Sequence, residues 1–98
     1  MTRWDIPNPS PSLPSRVERV AGSLDLKLTL RTTLATLPGS THWHFKHPTH
    51  KGTIEVTFHP DAPIAWVSTH ANRTSPPTQS LAQSLAELLV SCSGDGSE

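Results

Sequence analysis

Apolar and polar residues alternate along three short runs between Gly39 and Ala71, and turn-forming residues separate the runs. Period two over so few residues signals strands with one greasy face and one polar face. A four-residue loop at Pro48–Lys51, with Gly52 after it, pairs Phe45 with Ile54 and Trp43 with Val56. The turn Pro60-Asp61-Ala62-Pro63 then pairs Val56 with Val67 and Phe58 with Ala65. Upstream, Leu24, Leu26, Leu28 and Leu30 alternate with polar residues and predict another strand. Leu37-Pro38-Gly39-Ser40 carries the type II turn signature. As a hairpin it pairs Leu34 with Trp43, Thr32 with Phe45 and Leu30 with His47. One core face follows: Leu30, Leu34, Trp43, Phe45, Ile54, Val56, Phe58, Ala65, Val67 and Ala71. Agreement of successive turns on a single apolar face supports the registers, because a slip of one residue would destroy it.

The flanks read differently. Pro7, Pro9, Pro11 and Pro14 mark residues 1–14 as a flexible, extended leader. Ser15 to Glu18 has the form of a capping box, and Val17, Val20 and Ala21 share the face of one or two helical turns ending at Gly22. Pro76-Pro77 suits the first turn of a helix whose stripe is Leu81, Ala82, Leu85, Leu88 and Leu89. Residues 92–98, Cys92 included, read as a disordered polar tail. The expected fold is α+β in a single domain over residues 15–91: a four-stranded antiparallel meander with a C-terminal helix on one face. The alternative is α-β-β-β-α with residues 24–37 helical, since Leu26, Leu30, Leu34 and Leu37 also fit helical spacing. That alternative places Lys27 and Arg31 inside the apolar arc.

Composition narrows the function classes. Lys+Arg and Asp+Glu both number 8, so the chain lacks the basic excess with which nucleic-acid binders neutralise phosphates. Nucleic-acid binding is therefore disfavoured. A single Cys forms no internal disulfide, and no apolar segment approaches transmembrane length. These features predict a soluble cytoplasmic protein without a membrane partner.

The chemistry-bearing residues gather on the polar side of the alternation. All six His lie between Gly39 and Ala71. The expected registers line up Thr33, His44, Glu55 and Ser68 in one row. Arg31, Lys46, Thr53 and His70 form the next, and Ala35, His42, Thr57 and Trp66 lie on the other side. His-x-His on a strand aims two imidazoles the same way, and Glu55 supplies a carboxylate beside them. His42, His44, Glu55 and His70 are thus candidate ligands for Zn²⁺. Ser68, His44 and Glu55 are the residue types of a hydrolytic triad, but Glu55 stands between the other two. No nucleophile elbow accompanies them, which argues against an enzyme.

The face also suits protein recognition. His42, His44, Lys46, Glu55, Trp66, Ser68 and His70, with Arg31 and Ile64 nearby, make a mixed aromatic and polar surface that one C-terminal helix leaves uncovered. Arg73 stands beside it, before the Pro pair. His47, His50 and His59 fall at loops and rims. The leading expectation is a small, histidine-rich, non-enzymatic binding module that meets a protein partner or forms a homodimer through this face. The alternatives are a metal-binding protein using the His/Glu cluster and a nucleic-acid-binding accessory domain.

Overall fold

The computed structural model describes residues 2–33, 38–60, 64–70 and 74–94. The elements run in the order β1 (Thr2–Ile6), α1 (Leu13–Ser23), β2 (Lys27–Thr32), β3 (Thr41–Lys46), β4 (Ile54–His59), β5 (Ile64–Thr69) and α2 (Pro76–Gly94). The strands form one antiparallel sheet in the order β1-β5-β4-β3-β2. The class is α+β as expected, with five strands rather than four.

The fifth strand comes from the segment expected to be a flexible leader. Thr2 to Ile6 pairs with β5 from Thr2↔Thr69 to Ile6↔Ala65. Its alternation sends Trp4 and Ile6 toward the core and Arg3 and Asp5 to the other face. The prolines follow the strand instead of interrupting it. Pro14 occupies the first turn of α1, where a missing N–H costs no helical hydrogen bond.

Helix α1 is longer than the one or two turns expected, and Ser15 is not its cap. The N-cap is Ser12, while Ser15 lies inside the first turn and donates its hydroxyl to the Ser12 carbonyl. Leu13, Val17, Val20 and Ala21 are its buried face. Its C-terminus closes with two paired backbone bonds. Leu26 N–H reaches Ala21 O and Asp25 N–H reaches Gly22 O, both at 3.0 Å. Asp25 between them takes φ +61°. This is the Schellman arrangement, whose last residue packs back on the helix, and Leu26 is accordingly buried.

That cap alters the leucine pattern. Leu24 and Leu26 belong to the helix ending, and only Lys27–Thr32 is strand. The helical alternative for residues 24–37 fails over that strand; residues 34–37, with Leu34, Ala35 and Leu37, lie outside the described residues. The register with β3 also differs from the expected hairpin. Leu30 sits across from His44 and Arg31 across from Trp43, with an irregularity between Leu28 and Leu30. An offset of three residues reverses parity, so Leu30 joins the polar face and is 45% exposed. Arg31 moves to the helix side, where its guanidinium meets Glu18 of α1 at 2.6 Å. Gly39 has the positive φ of a type II turn, +88°.

The other two registers are as expected: Trp43↔Val56 and Phe45↔Ile54, then Val56↔Val67 and Phe58↔Ala65. These residues form one core with Ile6 of β1 and the buried sides of α1 and α2. Ala71 lies outside the described residues. Along α2, Ala82, Leu85, Ala86 and Leu89 are buried, whereas Leu88, expected in the stripe, is exposed. The helix runs through Gly94, so residues 92–94 are not the expected tail. Both helices lie on the same side of the sheet, and among the described residues no helix covers the opposite face. No helix among the described residues is long and apolar enough to cross a membrane.

Candidate metal centre

The uncovered face reads as three rows across the strands. Arg3, Ser68, Glu55, His44 and Leu30 are successive partners in one, and Asp5, Trp66, Thr57, His42 and Thr32 in the next. A third row begins with Lys27 across from Lys46. His70, the first residue after β5, stands at that end of the face. Alternation alone places His42 and His44 side by side and Glu55 directly opposite His44.

Three ligand atoms converge there. His42 Nε2 lies 2.9 Å from His44 Nε2, and Glu55 Oε1 lies 3.3 Å from the first and 3.8 Å from the second. Donor atoms around a four-coordinate ion with bonds of about 2.0–2.1 Å stand about 3.3 Å apart. The observed separations bracket that value. The two rings meet edge to face, with centroids 4.8 Å apart.

The surroundings hold these atoms in position. His42 Nδ1 lies 2.7 Å from the hydroxyl of Thr57, its cross-strand partner, and Thr57 is fully buried. Ligating histidines characteristically have the second nitrogen tied to a polar partner, which fixes ring orientation. A hydroxyl can accept from Nδ1–H or donate to Nδ1, and the tautomer with Nδ1–H is the one that leaves Nε2 a lone pair for an ion. The opposite carboxylate oxygen, Glu55 Oε2, lies 3.4 Å from His70 Nε2. His70, expected as a fourth ligand, thus stands against Oε2 and outside the converging group, while Oε1 faces the other two rings.

Electrostatics favour a neutral His42. Its side chain is only 9% exposed. Burial lowers its pKa below the ordinary 6.5, and the adjacent His44 pushes the same way. Glu55 opposes both through its charge and a hydrogen bond. A neutral imidazole is the form that binds metal, so this environment presents the ligand without first removing a proton at neutral pH.

The remaining predicted site residues are distributed around this cluster. Lys46 ends β3, exposed, and lines a cavity with His44, Glu55 and His70. Ser68 is buried opposite Glu55, which separates it from His44 as the register required. Trp66 is half-buried, and the Arg3 guanidinium sits 4.2 Å above its ring centre while also pairing with Asp5 at 2.8 Å. Ile64 is exposed at the rim across from His59. Arg31 faces the helices and leaves the site altogether. Arg73 lies outside the described residues. His47 and His50 stack on each other in the β3–β4 loop.

Two contributors escape a reading of the sequence that looks only for ligands. Thr57 shares a row with His42 in the expected register, so its role was derivable from pairing. Arg3 was hidden by treating the first residues as unpacked, although Arg3-Trp4-Asp5-Ile6 alternates in the strand manner.

Comparison with protein-family models, with curated proteins and with solved structures finds no match to this chain.

Proposed function

We propose that this protein binds a divalent transition-metal ion on its open sheet face, held by His42, His44 and Glu55, with Zn²⁺ the ion that best suits the ligand set. One observation carries the reading: three ligand atoms converge at 2.9, 3.3 and 3.8 Å, spacings suited to a tetrahedral ion. The buried hydrogen bond between His42 Nδ1 and the Thr57 hydroxyl supports it, because it aims the other ring nitrogen into the cluster. Imidazole and carboxylate together suit borderline ions, and three protein ligands leave an open coordination position. Bound there, the ion would act as a Lewis acid toward whatever group filled that position.

The test is metal titration of protein freed of any affinity tag and of adventitious metal. The expected result is about one equivalent of Zn²⁺ bound per chain, lost in His42→Ala and Glu55→Gln and kept in a His47→Ala/His50→Ala double variant. Equal binding by all four proteins would assign the affinity to scattered surface histidines and end the proposal.

A second reading draws on β2. All of that edge strand is exposed, including Leu28 and Leu30. An unpaired edge bearing apolar side chains favours pairing with a second copy of the chain. The Trp66 face is the weaker docking surface, since Arg3 already covers the ring. Light scattering of the parent and of Leu30→Lys separates the two arrangements.

A further inference from the structure

We propose that the metal site is one half of a binding site for a phosphate group, and that Lys46 and Lys51 are the other half. This rests on the metal reading above and extends it to the ligand the ion would share. A cavity of about 360 Å³ opens directly beside the cluster, lined by His44, Glu55 and His70 together with Lys46, Lys51 and Thr74. The volume lies at the small end of ligand sites and exceeds what an ion alone requires.

Charge selects the class of ligand. A divalent ion held by two neutral imidazoles and one carboxylate keeps a net positive charge, and the cavity adds two ammonium groups. Among the described residues, neither Lys46 nor Lys51 has a carboxylate within 4.0 Å. Lys46 is moreover placed directly across the sheet from Lys27. Like charges so opposed destabilise a strand pair, and an anion between the ammonium groups and the ion relieves the repulsion.

Shape narrows it further. Among the described residues that line the cavity the cations are lysines and none is an arginine, and lysines act as point charges suited to a tetrahedral phosphate rather than as the flat two-pronged partner of a carboxylate. One phosphate oxygen fills the ion's open position and the others accept from the two lysines. Inorganic phosphate and a phosphate monoester share this chemistry, and the cavity leaves room for the small organic part of the second.

The experiment uses the full chain loaded with Co²⁺, whose visible spectrum reports on its ligands. Co²⁺ is titrated first; inorganic phosphate, phenyl phosphate and succinate are then added separately to the loaded and to the metal-free protein. Expected is a spectral change with phosphate or phenyl phosphate, and binding about tenfold or more tighter than to metal-free protein or than succinate shows. Lys46→Met/Lys51→Met should weaken phosphate binding by about tenfold or more while Co²⁺ affinity stays equal or rises, since the lost charges repelled the cation. Both lysines are exposed, so the double variant should keep its fold. Tighter binding of phenyl phosphate than of phosphate would identify the monoester as the ligand. Co²⁺ uptake with no spectral response, or a double variant binding phosphate like the parent, would overturn the phosphate site alone. Failure to take up Co²⁺ would overturn the metal reading and this one with it.

Discussion

The 2.7 Å contact between His42 Nδ1 and the Thr57 hydroxyl joins two side chains that face each other across adjacent strands, and both are buried. The contact settles which nitrogen of His42 is left to face His44 and Glu55. Had the two strands slipped by one residue, Thr57 would face the core and His42 would lose its orienting partner.

Removing that hydroxyl is the most direct probe of the arrangement. Thr57→Val keeps the shape but leaves the buried Nδ1 without a partner, which costs about 1–3 kcal/mol in stability. Metal affinity should fall about 10- to 100-fold, the usual effect of losing a group that orients a ligand. Urea unfolding and calorimetric metal titration measure the two effects. Thr57→Ser should restore most of the affinity. A variant that binds metal as tightly as the parent would show that the ring needs no such support.

Gly52 tests a different part of the site's frame. It has φ +118°, and a Cβ built there would lie 2.8 Å from Cα and Cγ2 of Thr74. The approach is close because the start of α2 docks onto this loop: Ser75 N–H and the Thr78 hydroxyl both donate to Lys51 O. Gly52→Ala should therefore destabilise the fold by about 1–3 kcal/mol, through backbone strain and overpacking together. The midpoint of a denaturant curve reads this directly.

The opposite sign is expected at Asp25. It holds φ +61° at the position where a Schellman cap favours glycine. Asp25→Gly should raise stability by about 0.5–1 kcal/mol, the strain removed from the folded state outweighing the freedom gained by the unfolded chain. A lowered urea midpoint would mean that the aspartate side chain supports the cap.

Asp25 also shows why part of the fold was not legible in the sequence. Four leucines in strict alternation spell a strand, and nothing in their spacing reveals that the first two complete a helix. The cap uses an aspartate in a conformation usually given to glycine, so the usual stop signal is absent. Once Leu26 belongs to the cap, the strand enters late and its register shifts. Arg31, assigned to the polar face by alternation, then meets Glu18 on the helix side. Where three runs and two turns constrained one another, as from Trp43 to Val67, face and register were both readable. His42, His44 and Glu55 lie on the strands of that stretch, and their approach follows from its registers; His70, the fourth ligand expected, lies just beyond it and is not among the converging atoms. The first strand was missed for a different reason. Its pairing with β5 joins segments far apart in sequence, from Thr2↔Thr69 to Ile6↔Ala65, and no turn links them.

The response to pH follows from His42. In the unfolded chain it titrates near the ordinary 6.5, whereas in the fold burial and His44 hold its pKa lower despite the pull of Glu55. Other groups near the ring are the Thr57 hydroxyl and, beyond Glu55, the imidazole of His70. Above 6.5 the ring is neutral in both states and contributes nothing that varies with pH. As pH falls below 6.5 the unfolded chain takes up a proton that the fold resists, so stability declines until the lowered folded pKa is passed. Metal-free protein should thus be less stable at pH 5 than at pH 7.5. His42→Gln should flatten that difference, and saturating Zn²⁺ should steepen the decline, since protons and the ion compete for the same nitrogen. Urea curves at the two pH values, for parent and variant with and without metal, test all three statements. Equal slopes for parent and variant would show that His42 meets protons as freely in the fold as in the unfolded chain.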